Sequence, residues 1–89
     1  MTDTAEVRVW LVDREYTEKG MLTLAYATTA GDRVWRRQLS AAGLPGDGVA
    51  AARTVDPERL TTVEDPDDRA RYASEAARVA ERNDPESRI

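Results

Sequence analysis

The first forty residues carry a short-period pattern of apolar and polar positions that predicts β-strands. Residues 6–13, 21–28 and 33–39 are rich in β-branched and aromatic side chains that partly alternate with polar ones, which is typical of strands with two different faces. Two short connections separate them: a charged segment that ends at Gly20 and a turn signal at 29–32. Strands joined by short connections usually pair antiparallel. The pattern therefore predicts a three-stranded antiparallel β-meander.

The alternation also predicts a register, because a shift by one residue moves every side chain to the opposite face. Pairing Val12 with Met21, and Tyr26 with Trp35, collects the large apolar side chains on one face. That face would hold Val7, Val9, Leu11, Leu22, Leu24, Tyr26, Trp35 and Leu39. The outer face would hold Arg8, Trp10, Val12, Thr23, Ala25, Val34 and Arg36. An alternative register makes Gly31 the left-handed residue of a three-residue loop. It has good turn chemistry but mixes the two faces.

The second half of the chain begins with a loop signal. Residues 40–48 contain three of the five glycines and a proline, which predicts a flexible loop. Residues 49–55 are ambiguous, since three alanines favour a helix while the valines and Thr54 permit a strand. We favour a short fourth strand there.

Helix-start signals follow at two Asp-Pro pairs, because aspartate caps a helix N-terminus and proline suits the first helical position. Asp56-Pro57 predicts one short turn, and Asp65-Pro66 predicts the main helix over 66–83. A third pair, Asp84-Pro85, would end the helix, and the tail 84–89 is expected to fray.

The predicted helix carries a narrow apolar stripe of mostly small side chains, formed by Tyr72, Ala73, Ala76, Val79 and Ala80. Such a stripe allows a helix to lie close against a sheet. We expect it to cover the face that holds Val7, Val9, Leu11, Leu22, Leu24 and Tyr26. The fold class is therefore α+β: a three-stranded antiparallel meander, with a fourth short strand at 49–55, and a C-terminal helix packed on one face.

Composition limits the size of this fold. Eighty-nine residues predict a single small domain, 1–89. Only 40% of the residues are hydrophobic and many of these are alanine, so the core is thin and self-association as a homodimer would add to its stability. The net charge is −4, and every basic residue except Lys19 is arginine. An acid excess with almost no lysine is compatible with a protein that works in high salt.

Several classes of chemistry are excluded by residues that the chain lacks. It contains no cysteine and no histidine, which removes thiolate catalysis, Ser-His-Asp machinery and the usual zinc ligands. The acidic cluster of Glu64, Asp65, Asp67 and Asp68 does not have the spacing of an EF-hand loop, and helix capping explains it without a metal. We therefore expect no enzyme activity, no metal and no cofactor. No apolar run is long enough for a membrane span and the N-terminus is polar, which predicts a cytoplasmic protein.

The strand Val9–Arg14 and the helical segment Tyr72–Arg82 resemble those of small uncharacterised haloarchaeal proteins. The resemblance is mostly one of composition and contains no catalytic motif. It implies no particular function, and the mild acidity departs from the strong acid excess usual in such proteins.

The candidate interaction surface is the outer face of the predicted sheet, where arginines and a tryptophan occur together, with Arg37 added because it is adjacent in sequence. Its residues are Arg8, Trp10, Val12, Val34, Arg36 and Arg37. We predict a non-catalytic interaction or regulatory protein that acts through this face, with a second copy of the chain or another protein as partner. The alternative is a nucleic-acid-binding module, because aromatic side chains between arginines can stack bases and contact phosphates. The negative net charge disfavours that alternative.

Overall fold

The computed structural model describes residues 6–17, 19–40 and 48–89. These described residues form five strands and one α-helix: β1 (Val7–Tyr16), β2 (Met21–Ala27), β3 (Arg33–Ser40), β4 (Ala52–Val55), β5 (Thr61–Thr62) and α1 (Pro66–Arg82). A 3₁₀ turn at Pro57–Arg59 follows the Asp56 cap. The strand order is β4-β1-β2-β3-β5, and every neighbouring pair is antiparallel.

The predicted α+β class is confirmed, although the sheet has more strands than the predicted meander. The favoured fourth strand is present as β4, which pairs with β1, and the very short β5 adds to the edge of β3. Most of the predicted flexible loop, residues 41–47 of 40–48, lies outside the described residues.

The register is as predicted between β2 and β3 and different between β1 and β2. Tyr26 pairs with Trp35, as expected. The pairing of Val12 with Met21 is wrong, because β1 runs on to Tyr16 and contains a β-bulge between Leu11 and Asp13. A bulge inserts one extra residue into a strand, and alternation alone does not reveal it.

The bulge decides which charged side chain follows Leu11 onto its face of the sheet. Leu11 pairs with Tyr26, and Arg14 pairs with Leu24. Cross-strand partners lie on the same face, so Arg14 joins the large apolar side chains. In an unbroken strand, Asp13 would occupy that face instead.

The predicted grouping of the large apolar side chains on one face is confirmed. We call this the Trp35 face: Val9, Leu11, Leu22, Leu24 and Tyr26 form one buried cluster with Val49 and Val55, and Val7, Trp35, Leu39 and Leu60 pack at its margin.

The predicted position of the helix is wrong, because α1 packs on the opposite face. Trp10 and Ala52 contact Ala76, and Tyr72 packs with other sheet residues. We call this the helix face: Trp10, Val12, Ala25, Ala27, Val34 and Ala52. Its three alanines leave room for the helix to approach, whereas the larger side chains of the Trp35 face would hold it away.

Gly31, in the turn between β2 and β3, shows how close the helix lies. Its φ is +74°, and a Cβ at this position would overlap the Arg69 carbonyl oxygen and the Ala73 backbone nitrogen. The left-handed Gly31 and the Tyr26–Trp35 pairing, which the sequence presents as alternatives, occur together.

The Trp35 face is partly covered by two short extended segments, 49–51 and 87–89. The Val49 N–H donates to the Ile89 carbonyl (3.1 Å), and the Ile89 N–H donates to the Val49 carbonyl (2.8 Å). The Ala51 N–H donates to the Ser87 carbonyl (2.8 Å), and the Leu11 N–H donates to the Ala51 carbonyl (2.9 Å). The prediction that the tail 84–89 frays does not hold for its last three residues, which these main-chain hydrogen bonds tie to 49–51.

Helix α1 begins and ends close to its predicted bounds of 66–83. The Asp65 carboxylate accepts a hydrogen bond from the Asp67 N–H (2.8 Å), and Pro66 opens the first turn. The C-cap is Asn83. Among the described residues, no helix has the length and apolar character needed to cross a membrane.

Candidate functional site: an arginine-lined cleft

The residues predicted to form an exposed interaction face do not share one surface. Trp10 and Val34 are 7% and 1% exposed, respectively, and lie beneath α1 with Val12 at the edge of their clusters. Arg36 lies at the same side and its Nη2 donates to the Tyr72 hydroxyl (3.0 Å). Arg8 is exposed beside Thr54 of β4. The face that the sequence predicts to be open is therefore covered by α1, because the small alanines beside Trp10 allow the helix to pack there.

Arg37 alone of the six predicted residues lies on the Trp35 face, as its pairing with Leu24 requires. Two residues earlier on β3, Trp35 is half-buried and carries two guanidinium groups near its ring. The Arg37 Cζ is 5.9 Å and the Arg53 Cζ is 5.7 Å from the Trp35 ring centroid. Both distances fall within the range of about 6 Å in which a cation is attracted to an aromatic ring.

Arg53 approaches the Trp35 ring from β4, which lies three strand positions away from β3. It lies on β4, paired with Val9 of β1, while Trp35 lies on β3. In a flat sheet, strands three positions apart are separated by about 14 Å. The two long side chains therefore lean toward each other over β1 and β2, and the space between them is a cleft.

We call this space the arginine cleft. It has a volume of about 230 Å³ and is lined by Leu24, Tyr26, Trp35, Arg37, Leu39, Gly48, Val49, Ala50, Arg53 and Arg88. Its floor is apolar and its mouth is basic. Among the described lining residues there is no carboxylate.

Tyr26 forms part of the floor of the arginine cleft. Its ring lies 5.7 Å from the Trp35 ring, centroid to centroid, at an interplanar angle of 40°, a common tilted arrangement of aromatic pairs. Its hydroxyl donates to the Ala50 carbonyl (2.8 Å). The polar end of this buried side chain is thereby satisfied by the segment 49–51.

The pKa of Tyr26 reflects both the burial of its phenol and the arginines around the cleft. Burial raises the pKa of its phenol above the ordinary value, and four arginines oppose that rise: Arg53, Arg37, Arg88 and Arg14. Burial disfavours the phenolate more strongly than the four cations favour it. Four arginines are thus close enough to act on this buried phenol, although the whole chain has a net charge of −4.

The tail supplies one of these four arginines. Arg88 lines the cleft, and its segment is bridged to Ala50. The Arg14 Nη1 donates to the Ile89 carbonyl (2.9 Å), which ties the tail to β1. Three separate stretches of chain, β3, β4 and the tail, thus supply the arginines that line the cleft.

A second cleft of about 310 Å³ adjoins the first and shares Trp35, Arg37 and Arg53 with it. Glu6, Asp56 and Arg59 also line it. In the part of the chain that the structure describes, neither Arg37 nor Arg53 forms a salt bridge with these acids. The two guanidinium groups retain hydrogen-bond donors that can serve a ligand.

Two members of the acidic cluster near the start of α1 have structural roles. Asp65 caps α1, and Asp68 forms an exposed ion pair with Arg71 (3.5 Å). Within the described residues no three carboxylates come close enough to hold a metal ion.

Sequence reasoning did not identify Arg53 and Arg88 as site residues. Arg53 lies in the segment 49–55. Side chains alternate along a strand, so a strand that turns Ala52 and Thr54 to one face turns Arg53 to the other, which is the Trp35 face. Arg88 had no comparable signal, because its place depends on a three-residue pairing at the end of the tail.

The fold and the cleft define a small α+β protein with a basic, aromatic cavity on one face of its sheet. The chain belongs to a family of unknown function, DUF7967, whose family model matches residues 2–89. No curated protein and no solved structure matches it. The resemblance to haloarchaeal proteins stays a prediction.

Proposed function

We propose that this protein is a small, non-catalytic binding protein that takes a negatively charged partner in the arginine cleft. The observation that carries the proposal is the pair of guanidinium groups, from Arg37 and Arg53, on the ring of Trp35. A guanidinium that rests on an aromatic ring loses less freedom when it binds an anion, since its position is already restricted.

The residues that the sequence lacks and those that line the cleft support a binding role. The chain has no histidine or cysteine, and the described residues that line the cleft include no carboxylate that could act as a general base. Positive charge and an apolar floor support recognition of an anion rather than its chemical conversion.

The second candidate is a nucleic-acid-binding module. The arrangement that favours it is an aromatic ring between arginines on a β-sheet, which can stack a base and contact phosphates. It differs from the sequence-based hypothesis in its residues, since Trp35 and Arg53 take the place of Trp10 and Arg36. The net charge of −4 would repel a long polyanion and weakens this candidate.

An amide and indole spectrum of the ¹⁵N-labelled chain tests the proposal, because the two tryptophans report on opposite faces. Pyrophosphate and a mixed-sequence single-stranded oligonucleotide are added at low and high KCl. We expect the indole signal of Trp35 to shift and that of Trp10, beneath α1, to stay in place. The shifts should shrink in high salt, since exposed charges are screened.

The arms of this experiment separate the two candidates. If the oligonucleotide shifts Trp35 at much lower concentration than pyrophosphate does, the nucleic-acid module is favoured. If no anion moves the Trp35 signal in a well-dispersed spectrum, the aryl anions described below included, the arginine cleft is not a binding site for anions and the proposal is wrong.

A further inference from the structure

We infer that the arginine cleft takes a single small aryl anion: one phosphate or carboxylate head joined to a flat apolar ring system. This inference rests on the proposed function and names the chemical class of its ligand. It follows from the division of the cleft into an apolar floor and a basic mouth, and from the volume between them.

The floor sets the requirement for a flat apolar body. Leu24, Tyr26, Leu39 and Val49 supply its surface, and the Tyr26 hydroxyl is turned to the Ala50 carbonyl rather than left for a ligand. A strongly hydrated group has little to gain on such a floor, because it would give up its hydrogen bonds to water without finding new partners there. An aromatic ring can pack there beside Trp35.

The volume sets the size of that body. A cavity of about 150 Å³ holds benzene, and drug-sized ligands need pockets of about 300 Å³ or more. The arginine cleft, at about 230 Å³, lies between these limits. It suits a fused two-ring system, with the head left at the mouth.

The mouth sets the requirement for the head. Arg37 and Arg53 come from strands on either side of the cleft, and Arg88 comes from the tail. Planar guanidinium groups bind the oxygens of phosphate and carboxylate through paired, charge-assisted hydrogen bonds. A head that bridges Arg37 and Arg53 would sit above the apolar floor, so both parts of the ligand would be bound at once.

Four probes test the inference by calorimetry and by the Trp35 indole signal: 1-naphthyl phosphate, 1-naphthoate, 1-naphthol and inorganic phosphate. We expect at least one of the naphthyl anions to bind at least tenfold more tightly than both naphthol and inorganic phosphate. The preference between the two naphthyl anions identifies the head as phosphate or carboxylate.

Two substitutions test the residues. Arg53→Gln should weaken the better naphthyl anion at least tenfold and leave naphthol unchanged. Arg8→Gln is the matched control, since Arg8 is an exposed arginine on the other face, and it should change neither. If Arg53→Gln and Arg8→Gln weaken binding equally, the effect is one of net charge and the inference is wrong.

The outcomes distinguish the inference from the proposed function. If pyrophosphate or the oligonucleotide shifts Trp35 but naphthyl phosphate and naphthoate bind no better than inorganic phosphate, the cleft binds anions and the aryl inference is overturned. If no anion shifts Trp35, both are overturned.

Discussion

The helix face is lined by small side chains and covered by one long element, whereas the Trp35 face is lined by large side chains and covered by short ones. On the helix face, the small side chains of Ala25, Ala27 and Ala52 allow α1 to pack closely. Ala76 of the helix is fully buried as a result. On the Trp35 face, the side chains of Leu24, Tyr26 and Trp35 are larger. The paired segments 49–51 and 87–89 cover only part of them.

This difference teaches that side-chain size decides where a thin core can keep an open site. A long helix buries a row of alanines without leaving space for a ligand. Large, unevenly covered side chains leave a cleft, and arginines line it. The stability of the protein should therefore depend more on the helix face, and its binding more on the Trp35 face.

The largest expected effect comes from a comparison of the two tryptophans. Trp10→Ala should lower the free energy of unfolding by about 3–5 kcal/mol, because it leaves a large cavity beneath α1. Trp35→Ala should lower it by about 1–2 kcal/mol, since the ring is only half-buried. Urea denaturation of both variants measures this, and equal losses would contradict the division of roles.

Gly31→Ala should also be costly, by about 2–4 kcal/mol. The new Cβ would overlap the backbone of α1 at Arg69 and Ala73, and the φ of +74° disfavours alanine. Gly20→Ala is the matched control, because Gly20 has a similar φ of +77° and, within the described residues and apart from Gly20 and its two chain neighbours, no atom lies within 4 Å of the place that its Cβ would take. The difference in unfolding midpoint between the two variants isolates the helix contact, and no difference would argue against it.

Tyr26→Phe should cost about 1 kcal/mol through the lost hydrogen bond to Ala50. It should also change the response to alkali. Because the pKa of Tyr26 is raised in the folded protein, the unfolded phenol ionises first as the pH rises.

The stabilisation from a protonated Tyr26 is therefore complete below the unfolded pKa of about 10 and is lost as the pH rises through the folded pKa. Chemical denaturation between pH 8 and 11 should show a shallower loss of stability in Tyr26→Phe than in the wild type. An identical pH dependence would place Tyr26 outside the buried cluster.

The smallest expected effect concerns acid. The Thr28 hydroxyl donates to the Asp32 carboxylate (2.8 Å) and lowers the pKa of Asp32. The resulting stabilisation is present above the unfolded pKa of about 3.9 and is lost as the pH falls through the lowered folded pKa.

Thr28→Val removes the donor, and the pKa of Asp32 should then rise toward its ordinary value. A titration of side-chain carboxyl shifts by NMR measures that pKa in both proteins. An unchanged value would assign its lowering to the backbone hydrogen bond at Asp32 and to the charges of Arg33 and Arg69 instead.

The sequence predicted the features that depend on local pattern. Alternation grouped Val9, Leu11 and Leu24 on one face, and Asp65-Pro66 placed the start of α1. Alternation shows which residues share a face but not which element covers it. The informative signal was size, since the alanines of β2 and β4 match the alanine stripe of the helix.

The cleft was less predictable, because it depends on long-range geometry. Arg37 was identified as an interaction residue but grouped with Arg36, which points to the other face. Arg53 depended on the assignment of β4 as a strand. The positions of Arg14 and Arg88 depend on a bulge and on the pairing of the tail, respectively. Neither feature produces a periodic pattern in the sequence.

The pairing of the tail with residues 49–51 also has a consequence for biosynthesis. The Arg14–Ile89 hydrogen bond joins residues 75 positions apart, and Arg88 completes the cleft from the same segment. During translation, the meander of β1, β2 and β3 can form while later residues are still being added, since its contacts are local. The arginine cleft is complete only after residue 88 has left the ribosome, so a nascent chain can form its meander before it forms the cleft.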